Sequence, residues 1–155
     1  MYQIQKILTA ETFPIRKEVL RKGMDLPVAF NGDANSDTFH LGAFFKGQLI
    51  GVSSFMKESN RAFNGVQYQL RGMATLQEFR AKGVGKLMLN EAENLLKDMN
   101  VAILWCNARV SAVPFYQKQG FTCVGGCFQI ETVGPHYVMF KTILNEKQIV
   151  VTKIS

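Results

Sequence analysis

Residues 80–86, Arg-Ala-Lys-Gly-Val-Gly-Lys, place two glycines and three cations in one short segment. A strand-like stretch, Val66–Leu76, lies before it and a helix-like stretch after it. The first N–H groups of a helix lack intrahelical partners, and the aligned peptide dipoles favour negative charge there. Gly83 and Gly85 let a ligand come close to the backbone. Arg80, Lys82 and Lys86 add positive charge around it. The chemistry is anion capture, of a phosphate or pyrophosphate.

Two nucleotide loops fail on single residues. A Walker A loop needs a hydroxyl after Gly-Lys to hold Mg²⁺, and its first position is glycine. Here Leu87 follows Gly85-Lys86, and Arg80 takes the place of that first glycine. A dinucleotide fingerprint needs a third glycine three residues after Gly85, where Met88 stands.

The elements that must carry this turn follow from periodicity. Tyr2–Leu8 alternates in part and reads as a first strand. A helix capped by Thr9, with Pro14 near its start, should end near Gly23, and residues 24–37 read mostly as loop. Phe39–Phe45 and Gln48–Met56 form a hairpin across Lys46-Gly47. Lys57–Gly65 is a polar connection to the Val66–Leu76 strand, where Gly72 marks a bulge or close approach. In the helix after the turn, Val84, Leu87, Met88, Ala92, Leu95, Leu96 and Met99 share one apolar face. Val101–Cys106 is apolar enough for a strand buried on both faces, parallel to its predecessor through a right-handed crossover. Ser111 caps a short helix ending at Gly120. Phe121–Val124, a break at Gly125-Gly126, and a hairpin of Phe128–Glu131 with Tyr137–Thr142 close the domain.

Length and composition fit one domain over residues 1–145, with a tail over 146–155. The β-prone Ile149–Thr152 within that tail is a candidate edge strand or homodimer contact. The net charge of +6 suits a polyanionic cofactor. Its cations are scattered and not interleaved with aromatics, so no nucleic acid is expected. No apolar run approaches a membrane span and the N-terminus has no signal-peptide pattern, so no membrane association is expected. Three irregularly spaced cysteines, Cys106, Cys123 and Cys127, fit buried thiols in a reducing, cytoplasmic setting. Cys123, Cys127 and His136 lack a second close pair to complete a zinc site, so no metal is expected.

The turn, following Met-Ala-Thr-Leu at 73–76 and opening an amphipathic helix, resembles the acyl-CoA-binding motif [QR]-x-x-G-x-[GA] of the GNAT superfamily of N-acetyltransferases. Ala112 and the segment Phe115–Phe121 (F-Y-Q-K-Q-G-F) resemble that family's A-x-x-F-Y-x-K-x-G-F. Gly-Pro-His-Tyr-Val-Met-Phe-Lys from Gly134 is similar to the last strand of many members. One departure is Asn107, five residues before Ala112 where many members carry an asparagine three before it.

The resemblance implies an α/β (α+β) GNAT fold: a central mixed, mostly antiparallel, splayed β-sheet flanked by about four helices. It implies acetyl-CoA as co-substrate. The pyrophosphate would rest on backbone N–H groups of Ala81, Lys82, Gly83, Val84, Gly85 and Lys86, with Arg80, Lys82 and Lys86 screening charge. Met73, Ala74 and Thr75 would bond the pantetheine arm as an added strand. Gly72 would splay that strand from its neighbour. An N–H near Met73 would stabilise the developing oxyanion. Tyr116 would be the general acid for the departing thiolate, and Asn107 would hydrogen-bond the cofactor. The base is not identified; Glu58, Glu131 and His136 lie near predicted strand ends. Residues 9–37 and 125–137 would select the acceptor, with Asp25, Asp33 and Asp37 available to attract a cationic amine. The expected function is acetyl transfer from acetyl-CoA to a primary amine, small-molecule or peptide, by direct attack in a ternary complex. The alternative is a non-catalytic acyl-CoA-binding sensor or scaffold.

Overall fold

The computed structural model describes residues 1–145, 147 and 148. The expected β-prone stretch Ile149–Thr152 lies outside the described residues. Among the described residues seven strands are formed: β1 (Tyr2–Ile7), β2 (Phe39–Phe45), β3 (Gln48–Lys57), β4 (Gln67–Thr75), β5 (Ile103–Arg109), β6 (Thr122–Ile130) and β7 (Gly134–Thr142). Three α-helices accompany them there: α1 (Phe13–Ile15), α2 (Val84–Asp98) and α3 (Val113–Lys118). The sheet order is β1-β2-β3-β4-β5-β7-β6. β1–β2, β2–β3, β5–β7 and β6–β7 are antiparallel, while β4–β5 is parallel, so the sheet is mixed and mostly antiparallel.

The chain divides into two compact units. The first comprises residues 1–57 and 70–95. Its core has two clusters, because alternate residues of a strand point to opposite faces. Ala43, Ile50, Val84 and Met88 form one, with Met73 and Leu76 packed against it. Ile15, Val52 and Ala74 form the other. The neighbours Met73 and Ala74 thus serve opposite faces of β4. Tyr2, Phe45 and Phe79 pack tilted and edge-on against the first cluster, with centroids 5.4–6.4 Å apart.

The second unit comprises residues 58–69 and the described residues from 96 onward. Gln67 holds the polar connection in place: its Oε1 accepts from the Asn60 N–H at 2.7 Å and its Nε2 donates to the Phe63 carbonyl at 2.8 Å. Trp105 Nε1–H donates to the Glu58 carbonyl at 2.9 Å. The parallel ladder runs from Gln67↔Ile103 to Gln69↔Trp105, and β5 pairs with β7 from Ile103↔Thr142 to Arg109↔His136. The β6–β7 register shifts between Val124 and Phe128, so Gly125-Gly126 bulges one continuous strand instead of ending it.

Several boundaries differ from the sequence expectations. The first helical segment opens with a 3-10 turn (Thr9–Thr12) and continues past α1 as a π-helical stretch (Arg16–Leu20). Thr9 does not cap it: the Glu11 carboxylate accepts the Leu8 N–H at 2.7 Å, and Thr9 Oγ1 donates to the Asp33 carbonyl. Ser111 lies within a 3-10 turn (Val110–Ala112) and caps no helix by its side chain. β5 begins later than the apolar run, because the Val101 and Ala102 N–H groups bond to Leu96 O and Val66 O. On α2, Leu87 is exposed, as is Met99 just past its end, while Leu89 is buried.

Candidate active site

In the first unit, β4 leads through a 3-10 turn (Gln77–Phe79) into the basic glycine turn. Ala81 and Gly83 both take left-handed backbone angles, φ +60° and +84°. The Leu87 N–H bonds to the Gly83 carbonyl at 3.0 Å. The N–H groups of Val84, Gly85 and Lys86 therefore precede the helical ladder of α2 and are free to meet an anion. Residues 80–83 and Lys86 are exposed. A side chain at Gly83 would meet nothing within 4 Å, so its glycine is required by its φ and not by crowding. Arg80 Nε–H donates back to the Thr75 carbonyl at 3.2 Å, which ties the turn to the end of β4.

Gly72 also stands at positive φ, +65°, inside β4. A Cβ there would lie 2.8 Å from Phe30 Cε2 and 3.4 Å from Arg16 Nε. Arg16 is completely buried. Its Nη1 and Nη2 donate to Asp33 Oδ2 and Oδ1, each at 2.8 Å, in a bidentate ion pair. Nη1 also donates to the Val28 carbonyl and Nη2 to Ser54 Oγ, both at 2.9 Å. Burial acts against ionisation of Asp33, but its hydrogen bonds from Arg16 and the Phe30 N–H hold its carboxyl below the usual value. Asp33 is therefore committed to Arg16, contrary to its expected part in attracting an amine. No periodic signal reveals a pair separated by a loop, and Asp33 reads in sequence as one more loop acid.

In the second unit, Tyr116 is buried on α3, edge-on to Phe115 and Phe121 at 5.0 and 5.4 Å between centroids. Burial drives its phenol well above the ordinary value, and nearby Cys106 pushes in the same direction. Cys106 is itself pushed up to about 12 by burial, with a smaller push from Cys123. Tyr116 thus keeps its proton throughout the neutral range. Strand alternation sends Asn107, which is exposed, to the face opposite Cys106. Asn107 shares its face with Arg109 and with His136, which pairs with Arg109 in register. The structure brings Tyr116 near Cys106.

His136 is buried, and its Nδ1 lies 2.7 Å from the Gly134 carbonyl. A carbonyl can only accept, so Nδ1 carries a hydrogen there. Glu58 and Glu131 are exposed. Cys106 is buried, Cys123 half-buried and Cys127 exposed, all as free thiols. Among the described residues, no three His, Cys, Asp or Glu side chains gather as a metal site, and no helix is long and apolar enough to cross a membrane.

Residues 9–140 match the model of the acetyltransferase (GNAT) domain. The chain is 34% identical over 145 residues to the uncharacterized N-acetyltransferase YitI of Bacillus subtilis, covering 92% of this chain and 97% of that protein. Among solved structures, Escherichia coli ElaA superposes with a TM-score of 0.74 at 15% identity, covering 91% of this chain and 99% of that one. An aminoglycoside 6'-N-acetyltransferase complexed with coenzyme A superposes with a TM-score of 0.71 at 13% identity, covering 93% and 98%. The two structural likenesses speak for the fold; the domain match and the B. subtilis relative speak for the family. The chain belongs to the GNAT family of acetyltransferases, enzymes of acyl transfer to nitrogen.

Proposed function

We propose that the protein transfers the acetyl group of acetyl-CoA directly to a primary amine, on a small molecule or peptide, in a ternary complex. The observation that carries this reading is the turn at 80–86. Its left-handed Gly83 and the N–H groups ahead of the α2 ladder suit a pyrophosphate, and the chain is a GNAT member. The exposed Lys82 and Lys86 add charge screening, and Ala81 lies on the same turn. Arg80 contributes mainly by tying the turn to Thr75.

Bound there, acetyl-CoA supplies an activated thioester. Met73, Ala74 and Thr75 offer main-chain groups to the pantetheine amides, and Asn107 a further hydrogen bond. The Met73 N–H donates to the carbonyl oxygen as negative charge develops. The amine nitrogen forms its bond to the carbonyl carbon while the carbon–sulfur bond breaks. Tyr116 gives its proton to the departing thiolate. A thiolate leaving into dry surroundings gains basicity by the same desolvation that raises the Tyr116 phenol, so the transfer stays matched. The amine loses its extra proton to a base or to water.

The experiment is an acetyl-CoA-dependent free-thiol release screen over pooled amines, with acetylated product identified by mass. A productive amine acceptor is expected. Equilibrium binding of acetyl-CoA with no acetylation across the panel would instead establish a non-catalytic acyl-CoA sensor or scaffold.

A further inference from the structure

We infer that Phe30, seated by Arg16, is a wedge that fixes the Gly72–Met73 peptide of β4, which makes Arg16 and Phe30 positioning residues for acetyl transfer. The inference rests on the reading that the Met73 N–H serves the reacting carbonyl.

Three observations converge on this peptide. First, Gly72 is left-handed within a strand, and its φ and ψ aim the N–H of Met73. Second, the space a Cβ would take at Gly72 is filled by the edge of Phe30, with Cε2 2.8 Å from the Cβ position. Gly72 is thus shaped to the ring. Third, the ring is held across its face: the Arg16 Cζ lies over it, 3.8 Å from its centroid. Arg71 and Arg21 flank it at 4.6 and 5.3 Å.

The Arg16 guanidinium is in turn immobilised. Its four hydrogen bonds reach Asp33, the Val28 carbonyl and Ser54 of β3. The Phe30 N–H donates to Asp33 Oδ2 at 2.8 Å, and the Asp33 N–H donates to the Phe30 carbonyl at 3.1 Å. A single ion pair therefore folds the turn that carries the ring. A buried ion pair is a poor device for stability alone, since apolar residues often serve as well. What a planar guanidinium adds is direction. Arg16 Nε, beside Gly72, has no hydrogen-bond partner among the described residues, a cost that stability alone would remove.

The test uses the full chain, with Phe30→Leu and Arg16→Lys. Melting temperature, acetyl-CoA affinity by calorimetry and thiol release on an amine acceptor from the screen are measured for each. Phe30→Leu is expected to keep acetyl-CoA affinity within about threefold and to lower kcat by about tenfold or more, since a loosened reacting geometry is paid in kcat. A purely structural role predicts a lower melting temperature with kcat intact, and that result overturns the wedge. The Met73 amide resonance is followed in wild type and Phe30→Leu without ligand. A displaced resonance is expected, and an unchanged one overturns the wedge whatever the activity. If Arg16→Lys does not fold, Phe30→Leu decides, because it leaves the Arg16–Asp33 pair in place. Wild type that binds acetyl-CoA yet releases no thiol would defeat the catalytic reading, while the amide measurement still judges the wedge.

Discussion

His40 sits inside a buried polar network. Its Nε2 lies 3.1 Å from both the Asp33 carbonyl and Thr9 Oγ1, and its Nδ1 lies 2.7 Å from Ser54 Oγ, which accepts from Arg16. Burial lowers the pKa of His40 from 6.5, and Arg16 adds to this against the opposing pull of Asp33. A depressed folded pKa gives stability that is present above the unfolded value and lost as pH falls towards the folded one. The melting temperature should therefore decline as pH drops below about 6.5, and decline again below the ordinary 3.8 of Asp33. His40→Gln should flatten the first decline and leave the second. A melting temperature level from pH 7.5 to 5, or an equal slope in the variant, would contradict the network. In sequence Asp33 was legible only as a loop acid and His40 only as part of the Phe39–Phe45 strand; the network exists only once the segments carrying Arg16, Asp33, His40 and Ser54 meet.

At the scale of elements, the α2 start depends on backbone shape. A β-branched residue at the +84° φ of Gly83 is strained by about 1–3 kcal/mol. Gly83→Val should weaken acetyl-CoA binding by about tenfold or more through loss of the turn. Lys82→Ala, which removes one exposed charge, should cost only a few-fold, about 1 kcal/mol or less. Calorimetric affinities that leave Gly83→Val equal to wild type would remove the pyrophosphate from this turn. The helix itself was legible, but its buried stripe was not wholly so. At about 100° per residue, the stripe through Val84, Met88, Leu89, Ala92 and Leu96 leaves Leu87 roughly 140° from its centre. Spacing of three from Val84 looked sufficient; the angle decides otherwise. β5 was misplaced for a related reason. The apolar run Val101–Cys106 outweighed the alternation Asn107-Ala108-Arg109, which is the true strand signal at its far end.

For the molecule as a whole, the mixed sheet follows from its connections. A helix links β4 to β5 and makes that pair parallel, whereas short turns make the hairpins antiparallel. Which strand of the last hairpin docks on β5 was not legible from connectivity. β7 takes the place and buries His136 and Met139 there, while no residue of β6 is buried. The glycine turn and the Phe115–Phe121 segment were legible because each is local, whereas the Arg16 network required the folded chain. The most direct measurement is Tyr116→Phe beside wild type, comparing acetyl-CoA affinity with thiol release across pH on an acceptor from the screen. The account predicts affinity within about threefold and turnover lower by about 100-fold. Full turnover across the pH range in the variant would contradict it.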